Sequence, residues 1–454
     1  MELEKNKIYL GEAVDYTAEG NGVFKINGMA VFVPNTAVGD KAEVKIIKVG
    51  KNYSFGRLES IISPSDDRIT SDCEIFNKCG GCVFRHINYS AELKFKRKRV
   101  YDALTRIGGI DGNIICDIVP SPSCNAYRNK AQLPITRDIN NKIRVGFFAP
   151  RSHRVIPLDY CPLQSESFNK AVDVFLKWAN ISGESVYDEV NHKGVLRHLY
   201  LRYSKKTGEL MVCIIANSDR LKNEEKLIKL LKDELPELKT VVLNINREKT
   251  NVITGKKCIN LYGDGYITDE LCGLKFRISP LSFYQVNRDA AEKLYGIAAE
   301  LANLKSNETL LDMYCGTGTI GLSMASRVKS LIGVEIVPQA IEDAKKNSEV
   351  NGIQNARFIC SDAIRAARLL CDEGVRPDCI ILDPPRKGCG SGLISVVSEM
   401  LPDRIVYVSC DPATLARDLA IFKEKGYSAK KAVPVDMFPR TGHVECVVLM
   451  TKCD

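Results

Sequence analysis

Along residues 7–60 apolar and polar positions alternate in short runs, broken by the turn signals EGNG, NG and VGD. This period of two predicts strands, and strands this short and evenly spaced predict a small all-β barrel that ends near SPSDDR. The rhythm changes in AELKFKRKRVYDALTRI, residues 91–107, which reads as a helix with Leu93, Val100, Leu104 and Ile107 on a loose apolar stripe. Lys94, Lys96, Arg97, Lys98 and Arg99 lie off that stripe, as a solvated face or as an RNA contact. From about residue 120 to 270, strand pairs such as IRVGFFAPRSHRVIPL and HLYLRYSKKTGELMVCII predict an α+β domain without a catalytic signature. From Leu271 the pattern becomes strand, loop, helix, repeated through TLLDMYCGTGTIGLSMA, SLIGVEIVPQAIEDAKKN, ARFICSDAIRAARLL, DCIILDPPRKG and RIVYVSCDPATLARDLAIF. That alternation predicts an α/β domain with a parallel sheet and its ligand at the carboxyl ends of the strands. The expected division is 1–62, 63–270 and 271–454.

Composition narrows the class. The chain has 454 residues, 45% apolar and 26% charged, enough for two or three ordinary globular domains. Its start, MELEKNKIYL, has no signal-peptide core, and no run of 18 apolar residues offers a membrane span, so a cytoplasmic protein is expected. Seventeen cysteines, an odd number, are then not a disulfide framework but mostly small core residues. A net charge of +8 leans toward an anionic partner.

The segment CGTGTIG sets Gly316, Gly318 and Gly321 after a strand and before a helix. Glycines let the backbone turn tightly and approach a ligand, and Glu335, at the end of the next strand, can bind ribose hydroxyls. NAD and S-adenosylmethionine both suit this arrangement. The strand ending Asp383-Pro384-Pro385 favours the latter, because an acid held by prolines makes a rigid polar lip where a methyltransferase presents a base or amine to the methyl donor.

Cys410 follows the next strand, at the same end of the sheet. Carbon 5 of uracil is a poor nucleophile, and a thiolate added at carbon 6 activates it, which is covalent catalysis. A base must afterwards take the carbon-5 proton so that the thiolate can leave. DMFPRTGHVECVVLM offers Glu445 at the entrance of the last strand, with His443 nearby. The competing reading keeps Cys410 as one more buried thiol and Glu445 as a strand-end acid.

DPPRKG, VYVSCDPATLARD and DMFPRTGHVE resemble the signature segments of the RNA uracil-5 methyltransferase family, a likeness that extends over nearly the whole chain. SFYQVN resembles that family's cofactor segment, AYRNKAQLPI and VLRHLYLR its central-domain segments, and residues 7–60 its OB-like TRAM barrel. The resemblance implies a Rossmann-like class I methyltransferase domain in which Gln285, Tyr314, Gly316, Gly318, Glu335 and Asp383 hold S-adenosylmethionine. It implies Cys410 as nucleophile and Glu445 as base. Two positions depart from the pattern: Asp411 where Asn is common, and Arg440 where Gln, His or Tyr is common. A carboxylate beside Cys410 would disfavour the thiolate, and a nearby cation would offset it.

CEIFNKCGGCVF spaces Cys73, Cys79 and Cys82 as C-x5-C-x2-C, with Cys161 far off in DYCPLQ. The spacing allows an iron-sulfur cluster, a zinc ion or unligated thiols; the missing second close pair weighs against zinc. By resemblance to the ribosomal-RNA branch of the family, the four cysteines hold a [4Fe-4S] cluster. Barrel and cysteines together favour 23S ribosomal RNA over transfer RNA as substrate, with no membrane partner and a monomeric enzyme. The rivals are a NAD-dependent oxidoreductase and a non-catalytic RNA-binding protein.

Overall fold

A computed structural model describes residues 2–453. Strands β1 (Ile8–Tyr16), β2 (Gly22–Ile26), β3 (Met29–Val33), β4 (Lys41–Lys48) and β5 (Tyr53–Ser63) close into a barrel in the order β1-β2-β3-β5-β4. Alternation puts Phe24, Ile26, Val31, Val33, Val44 and Ile46 inside, and closure leaves no free edge. The barrel docks through an aromatic cluster in which Tyr16 meets Phe84 and Phe95, with ring centroids 5.3 Å apart in each pair.

Helix α1 (Tyr89–Arg106) follows, started by Asn88, whose side chain accepts from the Ala91 N–H. Its buried face is not the stripe expected from sequence. Leu93 is only half-buried and Ile107 lies exposed, while Phe95, Val100 and Leu104 are buried together with Glu92 and Lys96. Val100, Ala103 and Leu104 pack among the carboxyl-terminal residues Leu415, Leu419 and Ala432. Residues near Ile115 and Val119 extend that sheet beside Ala432 and Val435.

The middle of the chain forms a seven-stranded sheet from β6 (Lys130–Arg137), β7 (Ile143–Phe148), β8 (Val155–Pro157), β9 (Leu196–Tyr203), β10 (Leu210–Ala216), β11 (Leu238–Ile245) and β12 (Lys257–Tyr262). Helices α2 (Glu166–Ser182) and α3 (Glu224–Glu234) cover one face, with Trp178, Phe175 and Leu227 in the core. The other face, through Tyr200, Met211 and Val242, shares a core with the hairpin β13 (Ile267–Leu271) and β14 (Leu274–Ile278) and with helix α4 (Arg288–Ala302). The central and carboxyl-terminal parts therefore pack as one body.

The carboxyl-terminal sheet runs β17-β16-β15-β18-β19-β21-β20, from strands β15 (Thr309–Met313), β16 (Ser330–Glu335), β17 (Ala356–Cys360), β18 (Cys379–Leu382), β19 (Arg404–Ser409), β20 (Tyr427–Val435) and β21 (Glu445–Lys452). Helices α5 (Thr319–Met324), α6 (Pro338–Val350), α7 (Ala363–Asp372), α8 (Gly390–Glu399) and α9 (Pro412–Glu424) supply the crossovers. Strands of almost unbroken apolar residues suit burial on both faces. The fold is the mixed α/β architecture expected, with a Rossmann-like sheet at the carboxyl end.

Candidate active site

Strand order makes the site. Parallel β15, β16, β18 and β19 all end at one edge, so Tyr314, Glu335, Asp383 and Cys410 emerge there together. β21 runs antiparallel to β19, with Ser409 opposite Cys446. Only a reversed strand brings its first residue to that edge, and continuing the register sets Glu445 beside Cys410.

The glycine loop is shaped around the cleft. Gly316 and Gly318 have φ of 55° and 84°, and a Cβ on Gly316 would meet nothing within 4 Å, which leaves a cradle open to a ligand. The third glycine has another purpose: a Cβ on Gly321 would stand 2.7 Å from an oxygen of Asp312, which accepts the Gly321 N–H at 2.9 Å. Glu335 accepts from the Gly316 and Val337 N–H groups at 3.2 and 2.9 Å, tying its strand to the loop. Tyr314 takes a left-handed φ of 70°, a strained choice for a tyrosine. Gln285 is held from the central domain, where Asn129 donates to its carbonyl at 2.8 Å.

Cys410 is half-buried, and desolvation, then the charges of Glu445 and Asp383, push its thiol up to about 11, while Arg386 pulls it down. Desolvation and then Asp383 raise Glu445 to about 8, with Arg386 opposing. Burial alone raises Asp383 to about 7. Cys410 feels Glu445 and Asp383, and Glu445 feels Asp383, so the sheet brings the three together. Two carboxyls that titrate near neutrality beside a thiol can exchange protons with it and with a bound ring. His443 meets Arg386 at 3.3 Å.

Neither departure from the family pattern presses on the thiol. Asp411 caps α9, accepting from the Ala413 and Thr414 N–H groups at 3.0 and 2.9 Å, and Arg99 lies 3.8 Å from its other oxygen. The carboxylate expected to oppose the thiolate is thus occupied elsewhere, and the residues that raise the thiol are Glu445 and Asp383. Arg440 points to the cysteine segment, donating to the Ile87 carbonyl at 3.0 Å. The cation beside Cys410 is Arg386.

Sequence reading passed over four features here. Asp312 is buried with one oxygen unpartnered and is raised to about 8 by desolvation; an acid inside the apolar run TLLDM was its signal. Arg386 stands inside the quoted DPPRKG. Ile336, 62% exposed directly after Glu335, gives the cleft an apolar shelf, and Phe283, 65% exposed, does so beside Gln285.

Away from this edge, Cys73, Cys79, Cys82 and Cys161 line one cavity of about 150 Å³ with Phe76, Arg85, Arg128 and Gln164. Burial pushes Cys82 to about 11, with Arg85 and Arg128 pulling the other way. Among the described residues no three His, Cys, Asp or Glu side chains converge as ligands of a single metal ion. Between this segment and the barrel runs a groove of about 1170 Å³, lined by Phe32, Phe55 and Arg57 on one side and by Phe76, Cys79 and Arg151 on the other. Phe32 stacks on Tyr53 at 5.0 Å on the barrel wall. No helix among the described residues is long and apolar enough to cross a membrane.

Glycine loop, acid-ended strands and parallel sheet together make a nucleotide-cofactor site of the kind that S-adenosylmethionine-dependent methyltransferases use. Residues 88–453 match the tRNA (uracil-5-)-methyltransferase family and residues 12–58 the TRAM domain. The chain belongs to that RNA uracil-5-methylating family. It is similar to a Clostridium tetani protein described as an uncharacterized RNA methyltransferase, 43% identical over 449 residues, 99% of this chain and 97% of the other. A Halalkalibacterium halodurans protein of the same description is 43% identical over 448 residues, 99% and 98% of the two chains. The crystal structure of Pyrococcus abyssi tRNA (uracil-54, C5)-methyltransferase with S-adenosyl-L-homocysteine superposes with a TM-score of 0.79 at 29% identity, over 97% of this chain and 99% of that one. The nicotinamide reading of the glycine loop is set aside by this membership.

Proposed function

We infer that the protein methylates carbon 5 of a uridine in 23S ribosomal RNA through a covalent adduct on Cys410. The observation that carries this reading is the convergence of Cys410, Asp383 and Glu445 at one sheet edge beside the glycine cradle. The thiolate of Cys410 adds to carbon 6, and the ring electrons move toward carbon 5, which takes the methyl group that S-adenosylmethionine supplies. Glu445 then removes the carbon-5 proton; those electrons restore the ring double bond, and the carbon–sulfur bond breaks. Gln285, Tyr314, Gly316, Gly318, Glu335 and Asp383 would bind the methyl donor. The target base must leave its stack to reach this edge, and exposed Phe283 offers it an apolar surface.

The chain divides its labour among residues 1–62, 63–270 and 271–454, with α1 lent by the middle part to the catalytic part. The groove between barrel and cysteine segment suits single-stranded RNA, with bases stacked on Phe32 and Phe55. Cys73, Cys79, Cys82 and Cys161 would hold a [4Fe-4S] cluster; a shared cavity lined by four thiols supports that donor set, and two arginines suit its negative charge. Its place is one wall of the groove, apart from the methyl transfer. The barrel and the four cysteines, by resemblance, support ribosomal over transfer RNA.

The transfer RNA reading draws support from the P. abyssi protein, whose description names tRNA uracil-54. Nucleoside mass spectrometry of unmodified 23S ribosomal RNA and transfer RNA, incubated with enzyme and methyl-labelled donor, separates the two. Labelled 5-methyluridine in ribosomal RNA is expected. Label in transfer RNA moves the substrate, and label in neither overturns the reading.

A further inference from the structure

Helix α1 carries the run Lys94, Lys96, Arg97, Lys98 and Arg99, a pattern that reads as a solvated or RNA-facing surface. Two of those charges face inward instead. Lys96 is fully buried and donates to Glu92 at 2.7 Å, to Asp436 at 2.7 Å and to the Phe438 carbonyl at 3.0 Å. Arg99, with a side chain 20% exposed, donates to the Gly442 carbonyl at 2.5 Å and faces Asp411 at 3.8 Å.

Those contacts fall on both reacting loops. Asp411 directly follows Cys410, and Gly442 lies three residues before Glu445. One guanidinium spans them, and its planar fork suits two acceptors at once. The Glu445 loop is also held from elsewhere. Tyr127 donates to the Pro439 carbonyl at 3.0 Å, Asn287 to the Met437 carbonyl at 3.0 Å, and Glu92 accepts from the Arg440 N–H at 2.7 Å. At Gly442 the barrel presses from the far side: a Cβ there would stand 2.7 Å from the Ala18 carbonyl. Upstream the loop is pinned by several elements, but beyond Thr441 the contact from α1 is the Arg99 bond to Gly442.

We propose that Arg99 is a positioning residue that sets the span between the Cys410 loop and the Glu445 loop, and so governs proton removal after methyl transfer. This rests on the reading of Cys410 as nucleophile and Glu445 as base. Lys96 anchors the helix, and Arg99 transmits its position to the last residues before the base. Arg99 touches no reacting atom; it acts through Gly442 and Asp411.

Two RNAs separate the steps. In 5-fluorouridine RNA the carbon-5 fluorine cannot leave as a cation, so the trapped protein–RNA adduct reports thiol addition and methyl transfer without the base. In ordinary uridine RNA the base must act for the enzyme to turn over. The experiment compares wild type, Arg99→Met, Arg99→Lys and Cys410→Ala on both, with S-adenosylhomocysteine binding and thermal midpoint measured alongside.

Arg99→Met is expected to trap fluorouridine RNA within about twofold of wild type. On uridine RNA its turnover falls roughly tenfold to a hundredfold, the effect of a small misplacement of a reacting group, while an adduct resistant to detergent accumulates. Arg99→Lys recovers part of the turnover, since an ammonium can donate to Gly442 without spanning to Asp411. If Arg99→Met melts early, Arg99→Lys carries the comparison, with the same slowed release expected at smaller size. Wild-type turnover in Arg99→Met, or equal slowing on both RNAs with no accumulated adduct, overturns the proposal. Absence of a Cys410-dependent adduct in wild type instead overturns the covalent reading on which it rests.

Discussion

Two cysteine environments in this protein differ in what surrounds the sulfur. Cys410 sits at a sheet edge among ionisable carboxyls, with Asp383 and Glu445 raising its thiol and Arg386 opposing them. Cys73, Cys79, Cys82 and Cys161 line one cavity beside Arg85 and Arg128, and the charges acting on Cys79, Cys82 and Cys161 are those of neighbouring cysteines and of the two cations. Burial raises the thiols of Cys410, Cys79, Cys82 and Cys161 alike. What separates them is the company: a lone thiol beside proton acceptors fits the proposed addition and release, and thiols gathered with cations fit the proposed cluster with its shared negative charge.

The sharpest way to break that contrast is to exchange alanine for one cysteine of each kind. Cys410→Ala should abolish 5-methyluridine formation while leaving thermal stability within about 0.5 kcal/mol to 1.5 kcal/mol of wild type, as a half-buried small residue would. Cys161→Ala should lower stability and the broad visible absorbance of the anaerobically prepared protein, with S-adenosylhomocysteine binding retained. Residual methylation in Cys410→Ala, measured by nucleoside mass spectrometry, would remove the distinction.

Glu445→Gln tests whether the acid beside the thiol is a base. Turnover should drop about a hundredfold or more, with the covalent RNA adduct persisting on denaturing gels. Normal release would assign the proton to another group, Asp383 being the neighbour in place to take it.

The pH dependence of stability is a smaller effect. Asp312, Asp383 and Glu445 have pKa values raised to about 8, 7 and 8, so between roughly pH 4 and 8 the folded chain binds more protons than the unfolded one. Their contribution is complete below pH 4 and is lost as pH rises through 7 to 8, each shifted unit being worth about 1.4 kcal/mol at most. Urea titrations of the ligand-free enzyme should show Glu445→Gln flattening that fall; an unchanged slope would mean the acid is already ionised in the fold.

The least effect belongs to Asp411→Asn. An amide oxygen can cap α9 as the carboxylate does, so stability should change by only a few tenths of a kcal/mol. The pH–rate limb assigned to Cys410 should stay in place, because the charges that raise the thiol are those of Glu445 and Asp383. A limb that moves down would return Asp411 to the list of groups acting on the nucleophile.

Period and composition alone determined much of this protein. The barrel, the strand–helix alternation after residue 271 and the acid-ended strands were legible because each depends on residues close together in sequence. Cys410 and Asp383 could be set at one end of the sheet for the same reason: both follow strands of one parallel run. Tertiary structure decided the rest. That Glu445 meets Cys410 requires β21 to run against β19, a pairing of distant segments. The charges of α1 read as a polar face, yet Lys96 is buried because Asp436, 340 residues away, comes back to pair with it. The role of Asp411 changed likewise once its oxygens were found on the α9 cap and opposite Arg99. Local pattern records what a segment can form; where its charged groups end depends on partners that only the folded chain brings within reach, since a buried charge is tolerated only where such a partner arrives.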